Sequence, residues 1–242
     1  MIFEGIRIQN DQIVFDFNDD LDGDVIPLKF QKMNKTLSTR NGVTVYFGYK
    51  YSNGANPTQL ADVRDAIKTL NYNLINKGDL KLMINKAVNN FLKVSPTKFD
   101  IIITPKSSGG LVNLIAESFK QKLGNSVMVA PDTIVKNAVS DIKIDPTKIH
   151  KLTPSWINSF EKIIQKGSFK MKSVPIPLRR VIIDFLKFND ATSREIYNKI
   201  ANGNVLILDD IYTGGSTFSE IVRIINNQSP RSVSGFIFLL SS

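Results

Sequence analysis

The chain of 242 residues contains no cysteine and only one histidine, His150. Without cysteine, disulfide bonds and thiolate metal sites are excluded. A single histidine rules out metal sites built from several histidines and weakens any Ser-His-Asp interpretation. We interpret His150 as a solvated loop residue, so any chemistry must come from other side chains and from the backbone.

Long apolar runs are also missing. No run approaches the roughly 20 residues that a membrane-spanning helix requires. The first residues, MIFEGIRIQNDQ, lack the basic start and the apolar stretch of a signal peptide. These absences predict a protein without a membrane partner, and we expect a cytoplasmic location.

Acidic residues are outnumbered: 31 Lys and Arg stand against 22 Asp and Glu, for a net charge of +9 and a pI near 9.6. This balance is typical either of a lysine-rich solvated surface or of a protein that attracts polyanions, nucleic acid among them. The sequence has no zinc finger, no RNP motif and no clear helix-turn-helix. Nucleic acid therefore stays an open partner on charge alone.

The most informative stretch lies at residues 204–226. Its unbroken apolar run, VLIL at 205–208, predicts a buried parallel strand. Two adjacent carboxylates, Asp209 and Asp210, follow that strand, and a loop of small and hydroxyl residues, TGGST at 213–217, comes next. Apolar residues with helical spacing then predict a helix, and Thr217 and Glu220 have the spacing of a capping box at its start.

This order of elements suits a phosphorylated sugar. Glycines let the backbone approach a ligand closely, and N–H groups at a helix start favour a phosphate. Carboxylates accept hydrogen bonds from vicinal hydroxyls and also help to hold a hydrated Mg²⁺. A phosphate at one end and a diol at the other describe a ribose 5-phosphate.

The segment VLILDDIYTGGST resembles, without gaps, the phosphoribosyl-pyrophosphate (PRPP) signature of type I phosphoribosyltransferases. The resemblance implies that Asp209 and Asp210 bind the ribose hydroxyls and help to hold Mg²⁺. It also implies that the 5-phosphate is bound by the following loop residues: Thr213, Gly214, Gly215, Ser216 and Thr217. The family usually has Thr at the position of Gly214, so one phosphate-binding hydroxyl is missing here, and Ser216 is a candidate to replace it.

A second loop supports the same resemblance. The apolar run at 101–103 leads into TPKSSGG at 104–110, and a predicted helix follows. The loop matches neither a P-loop nor a dinucleotide fingerprint. It resembles the first loop of the phosphoribosyltransferase core, and the resemblance implies that pyrophosphate is bound there by Lys106, Ser107, Ser108 and Gly109. Arg179 and Arg180 are two further candidates for clamping the pyrophosphate, with ordinary surface charge as their alternative.

Strands predicted at 99–103, 127–130, 205–208 and 233–240 alternate with helices, which is typical of an α/β fold with a parallel sheet. We expect a type I phosphoribosyltransferase-like core at residues 96–242, with a hood insertion at about 131–203. Residues 1–95 are predicted to form an N-terminal α+β appendage. It would include a hairpin turn around Asn10 and Asp11, a strand at 43–51 and helices at 57–76 and 79–92. Further helices are predicted at 154–166 and 192–201, and the segment 181–188 is compatible with a helix or a strand.

The resemblance implies an Mg²⁺-dependent enzyme of nucleotide metabolism that transfers phosphoribose from PRPP to a nitrogenous base and releases pyrophosphate. The catalytic residues would be Asp209, Asp210 and Thr213, the last at a position near the incoming base where the family often has Asp. The alternative is a non-catalytic protein on the same fold that binds PRPP, a nucleotide or nucleic acid, in regulation, DNA uptake or a structural role. Dimers are common in the family, so a homodimer is compatible with either hypothesis.

Overall fold

The computed structural model describes residues 4–9, 12–16, 26–29, 43–51, 57–95, 97–107, 109–167, 169–171, 174–179, 181–212 and 215–240. The strands are β1 (Glu4–Gln9), β2 (Gln12–Asp16), β3 (Ile26–Lys29), β4 (Thr44–Tyr51), β5 (Ile101–Pro105), β6 (Met128–Lys136), β7 (Lys143–Ile144), β8 (Ile182–Ile183), β9 (Leu186–Phe188), β10 (Asn204–Tyr212) and β11 (Ser232–Leu240). The helices are α1 (Pro57–Thr69), α2 (Lys77–Val94), α3 (Leu111–Leu123), α4 (Pro154–Gln165), α5 (Ile176–Arg179), α6 (Arg194–Asn202) and α7 (Ser216–Asn226). The predicted turn at Asn10 and Asp11 lies outside the described residues.

One nine-stranded sheet, in the order β2-β1-β3-β4-β11-β10-β5-β6-β9, organises the fold. Its five neighbouring strands from β4 to β6 are mutually parallel, whereas β9 and the N-terminal strands pair antiparallel. Helices flank this sheet, so the predicted α/β class with a parallel sheet is confirmed. Within the described ranges, no helix has both the length and the apolar character needed to cross a membrane.

The two faces of the sheet carry separate cores because alternate residues of a strand point to opposite sides. On β10, Leu206 and Leu208 pack with helices α1, α2 and α3 in one core. Val205 and Ile207 pack with α7 and with the segment between β6 and β10 in the other. Strand β5 therefore continues into a helix on one face, and its neighbour β10 continues into a helix on the other.

The region predicted as an N-terminal appendage shares this sheet and core. Strand β4 pairs in parallel with β11, and the Phe91 ring of α2 packs against the rings of Phe119 and Phe236 at centroid distances of 5.5 and 5.3 Å. The sheet and the core thus continue across the boundary that was predicted at residues 95 and 96.

Several predicted elements are confirmed with small shifts at their ends. They are the strand at 43–51, the helices at 79–92, 154–166 and 192–201, and the final strand at 233–240. His150 is solvent-exposed, as expected. The segment 181–188, which was open between helix and strand, forms β8 and β9, and these are separated by Asp184 with a φ of 60°.

Two predicted boundaries are wrong. The helix expected at 57–76 ends at Thr69, because Leu70 adopts a left-handed conformation with a φ of 53°. The chain then turns, and the carbonyl of Leu74 accepts the N–H of Ile13. The apolar residues Val63, Ile67, Leu70 and Leu74 recur with helical spacing and so predicted the longer helix. Val63 and Ile67 are buried, whereas Leu70 and Leu74 are half-buried and lie beyond the helix end. The strand expected at 127–130 extends to Lys136, past a left-handed Asp132.

Candidate functional site

Two buried carboxyl groups lie at the end of β10. The strand continues beyond its apolar run, so that Asp209 still pairs with Ile237 of β11. Asp209 is 8% exposed and Asp210 is 4% exposed. Carboxylates are seldom buried to this degree without a partner that compensates their charge. Burying two adjacent ones is a cost to stability that favours a functional explanation.

Backbone groups hold one oxygen of each carboxyl. Asp209 Oδ1 accepts the N–H of Asp210 at 2.9 Å, and Asp210 Oδ1 accepts the N–H of Ile211 at 2.7 Å. These short local bonds orient both side chains. The two Oδ2 atoms are left for other partners.

Asp210 Oδ2 is approached from two different elements. Lys68 Nζ, at the end of α1, lies 3.5 Å away, and Ser107 Oγ, in the loop after β5, donates to it across 3.4 Å. The predicted pyrophosphate loop and the predicted ribose-binding strand therefore meet at Asp210. They meet where neighbouring strands lead to helices on opposite faces, which is where open α/β sheets bind ligands.

The protonation of the pair follows from this environment. Burial, and next the negative charge of Asp210, raise the pKa of Asp209 to about 8. Desolvation and a like charge both disfavour the ionised form of a carboxyl group. Near neutral pH Asp209 therefore holds a proton.

The loop after β5 is held against α1 by its glycine. Gly109 is buried, and a methyl group added at its Cα would overlap the carbonyl oxygen of Lys68. Its N–H donates to Ser107 Oγ at 3.3 Å. Gly109 was predicted as a pyrophosphate donor, and its contacts show that it also permits the close approach of α1. Lys106 is exposed at the mouth of the site.

The start of α7 faces the same site. Gly215, with a φ of 73°, is the N-cap and offers no side chain to the first turn. This left-handed conformation favours glycine, and a Cβ at Gly215 would also overlap the Tyr212 side chain. Ser216 and Thr217 form the first turn, and Thr217 lines the cavity described below.

The capping-box prediction is wrong. Helix α7 begins at Ser216, one residue before Thr217, and Glu220 does not return to the helix start. The buried Glu220 instead accepts the N–H of Asp184 at 2.7 Å and pairs with Arg223, which also reaches Asp184. A buried donor and a guanidinium are stronger partners for a carboxylate than a solvated cap.

A cavity of about 880 Å³ opens beside the carboxyl pair. Its polar end contains Lys68, Lys106, Ser107, Asp209, Asp210 and Thr217. Its apolar lining comes from Ile134 of β6 and from the segment between β6 and β10, which supplies Val139, Phe169, Met171, Phe185 and Leu186. Polar residues of the same region line the cavity as well: Lys136, Asn137, Lys187, Asn189 and Asp190. A ligand in this cavity would meet both charged, hydrogen-bonding groups and apolar surface.

Not every predicted residue reaches this site. Arg179 donates from Nε to the carbonyl of Val174 at 2.6 Å and does not line the cavity. Ser108, Arg180, Thr213 and Gly214 lie outside the described residues. Their predicted roles stay predictions.

Lys68 and the cavity-lining aromatic residues Phe169 and Phe185 were not identified from the sequence. Lys68 looked like an ordinary basic residue in the last turn of a helix, and it contacts Asp210, which lies more than 100 residues further along the chain. Phe169 and Phe185, with ring centroids 6.0 Å apart, lie in the segment whose pattern was weakest. No local signal identifies such residues, since only the sheet topology brings them to the carboxyl pair.

The residues fit Mg²⁺ as part of a ligand-assisted site. Mg²⁺ is commonly held by one or two carboxylates together with water and substrate phosphates, and Asp209 and Asp210 provide that number. Over the residues that the structure describes, no group of three or more His, Cys, Asp or Glu side chains is placed to hold a metal ion. The ion would therefore depend on oxygens from the ligand.

No protein-family model and no curated protein matches this chain, so its function has to be inferred from the site itself.

Proposed function

We propose that this chain is a phosphoribosyltransferase-like protein that binds PRPP with Mg²⁺ and transfers phosphoribose to a nitrogenous base, releasing pyrophosphate. The observation that carries the proposal is the contact between Ser107 and Asp210. It joins the loop that the resemblance assigns to pyrophosphate and the strand end that the resemblance assigns to the ribose hydroxyls.

The carboxyl pair suits a vicinal diol. With one proton on the pair, one group donates a hydrogen bond and the other accepts, which matches two neighbouring hydroxyls. The start of α7, with Ser216 and Thr217, would receive the 5-phosphate at the positive end of the helix. Lys106 and Ser107 would contact the leaving pyrophosphate.

Catalysis would rest on positioning and electrostatics. Bound Mg²⁺ would neutralise part of the charge that develops on the pyrophosphate. Lys106 and the loop hydroxyls would stabilise the same charge. Phe169 and Phe185 offer flat apolar surface to a planar base. No protein nucleophile is required, in agreement with the lack of cysteine.

Binding without turnover is the second candidate function. It is favoured by the glycine at position 214, where the resembled family usually has Thr, and by the net charge of +9. Pyrophosphate release in the presence of candidate bases separates this candidate from the enzyme.

Titration calorimetry with PRPP and Mg²⁺ tests the proposal. We expect wild-type protein to bind, and the Asp209→Asn/Asp210→Asn variant to bind at least about 100-fold more weakly, because two hydrogen bonds to carboxyl groups are weakened. Asp190→Asn is the matched control, since Asp190 lines the same cavity but its side chain is 85% exposed and paired with Lys187. The absence of binding by folded wild-type protein would contradict the proposal.

A further inference from the structure

Lys68 brings a positive charge to the carboxyl pair from outside the two predicted ligand loops. Its ammonium lies 3.5 Å from Asp210 Oδ2, with 40% of the lysine side chain exposed and 6% of the aspartate side chain. The backbone of Lys68 is fixed because it packs directly against Gly109. The end of α1 is therefore held in place, while the long side chain keeps access to solvent.

The charge balance at the pair depends on this lysine. Among the described residues, Lys68 is the cationic side chain in ion-pair contact with either carboxyl group. Lys187, which lines the same cavity, is occupied by Asp190 at 2.9 Å. In the described part of the chain, these two adjacent buried carboxyl groups thus have one protein cation in ion-pair contact.

Lys68 and a metal ion would approach the same atom of Asp210. The Ile211 N–H is hydrogen-bonded to Asp210 Oδ1, so Oδ2 is the oxygen that the backbone does not engage. That oxygen already faces Lys68 Nζ and Ser107 Oγ. A divalent ion that coordinates Oδ2 would lie close to the ammonium, and the repulsion between the two cations makes them compete for this oxygen.

We propose that Lys68 is a built-in counter-ion that competes with Mg²⁺ for Asp210, so that the metal enters the site together with an anionic ligand rather than before it. The inference rests on the proposed function, because it takes the carboxyl pair as the place where the divalent ion binds. When a phosphorylated ligand arrives, the half-exposed lysine side chain swings from Asp210 to the ligand. Lys68 is then a positioning residue that sets the order of binding.

Direct binding of Mn²⁺, followed by electron paramagnetic resonance without any other ligand, tests this inference. We expect Lys68→Met to bind Mn²⁺ at least about tenfold more tightly than wild type, since removing a partly screened charge at this distance is worth that much. Lys68→Arg retains the charge and should stay close to wild type. Lys136→Met removes another lysine from the cavity wall without touching the pair, so its Mn²⁺ affinity should stay within about twofold of wild type.

The location of the gained site is checked with Asp210→Asn in the Lys68→Met background, which should remove the gain. Lys68→Gln serves as a second neutral variant if the methionine variant is poorly folded. Equal Mn²⁺ affinities for wild type and a folded neutral variant would overturn the inference.

The same proteins separate this inference from the proposed function. If wild type binds PRPP with Mg²⁺ but Lys68→Met gains no Mn²⁺ affinity, the competition is wrong and the proposed function stands. If Lys68→Met gains Mn²⁺ affinity but no variant binds PRPP, the competition stands and the proposed function is wrong.

Discussion

The Asp209→Asn variant is expected to be more stable than wild type at about pH 8, with an unfolding temperature higher by on the order of 5 °C. Burial of Asp209 beside Asp210 makes its ionised form costly in the folded state. Asparagine keeps the oxygen that accepts the Asp210 N–H but cannot ionise. If removal of a proposed binding residue stabilises the fold, this result is typical of a site where stability is lost to function.

The pH dependence has a definite sign. The pKa of Asp209 is raised from 3.8 to about 8 in the folded state, so the folded protein binds more protons than the unfolded chain across that interval. Wild type should therefore be most stable, as far as this group is concerned, below about pH 4, and should lose stability up to about pH 8. The maximal slope is about 1.4 kcal/mol per pH unit. In Asp209→Asn this slope should disappear.

Chemical denaturation at a series of pH values measures the free energy of unfolding for both proteins. The pKa of Asp145 is lowered to about 2, chiefly by hydrogen bonds from Lys148 and Thr147. Its contribution to stability is therefore lost as the pH falls, which is opposite in sign to the effect of Asp209. It is present in both proteins, so the difference between them isolates Asp209. Asp190→Asn is the control with one carboxyl group removed from an exposed position, since the Asp190 side chain is 85% exposed. Parallel profiles for wild type and Asp209→Asn would show that the pair is not buried as described.

Gly109→Ala is expected to destabilise the protein by at least about 2 kcal/mol, since the added methyl group overlaps a backbone oxygen rather than a movable side chain. The oxygen belongs to Lys68 at the end of α1. Relief of the overlap requires α1 and the loop after β5 to separate. The variant should therefore also lose the contact between Lys68 and Asp210 and bind Mn²⁺ more tightly than wild type.

Gly110→Ala is the matched control for this prediction. Its added methyl would meet only the Cδ1 atom of Leu70, at 2.6 Å, and this flexible side-chain end can rotate away. We expect a loss of stability of about 1 kcal/mol or less for Gly110→Ala. Urea denaturation of both variants gives the comparison. Equal stabilities for Gly109→Ala and wild type would mean that the end of α1 does not pack closely against this loop.

The carboxyl pair and its strand were predictable because their signals are local. An unbroken apolar run followed by two acidic residues and a glycine loop is contained within a dozen residues, and strand β10 with buried Asp209 and Asp210 agrees with it. The end of the helix α1 was not predictable in the same way. Leu70 continues the helical spacing of apolar residues in α1, but its backbone is left-handed and ends the helix. The following turn can then pack against the N-terminal strands.

The capping-box prediction for Glu220 was wrong for a different reason. Its spacing from Thr217 is that of a capping box, yet in the folded chain it is buried and bound to Asp184 and Arg223. A capping box is worth about 1 kcal/mol, and a buried carboxylate with two strong donors exceeds this. The competing partner comes from a segment 36 residues away, so the local pattern could not reveal it.

The sequence alone determined the class of the fold, the strand that carries Asp209 and Asp210, and the candidate chemistry of the loops at 104–110 and 213–217, because each depends on residues close together along the chain. Tertiary structure decided the rest. It brought Ser107 and Lys68 into contact with one oxygen of Asp210 and raised the pKa of Asp209 by burial. It also brought apolar side chains from the segment between β6 and β10 to the cavity beside the carboxyl pair. These properties depend on distance and desolvation, and both are set only when parallel strands far apart in the chain become neighbours in one sheet.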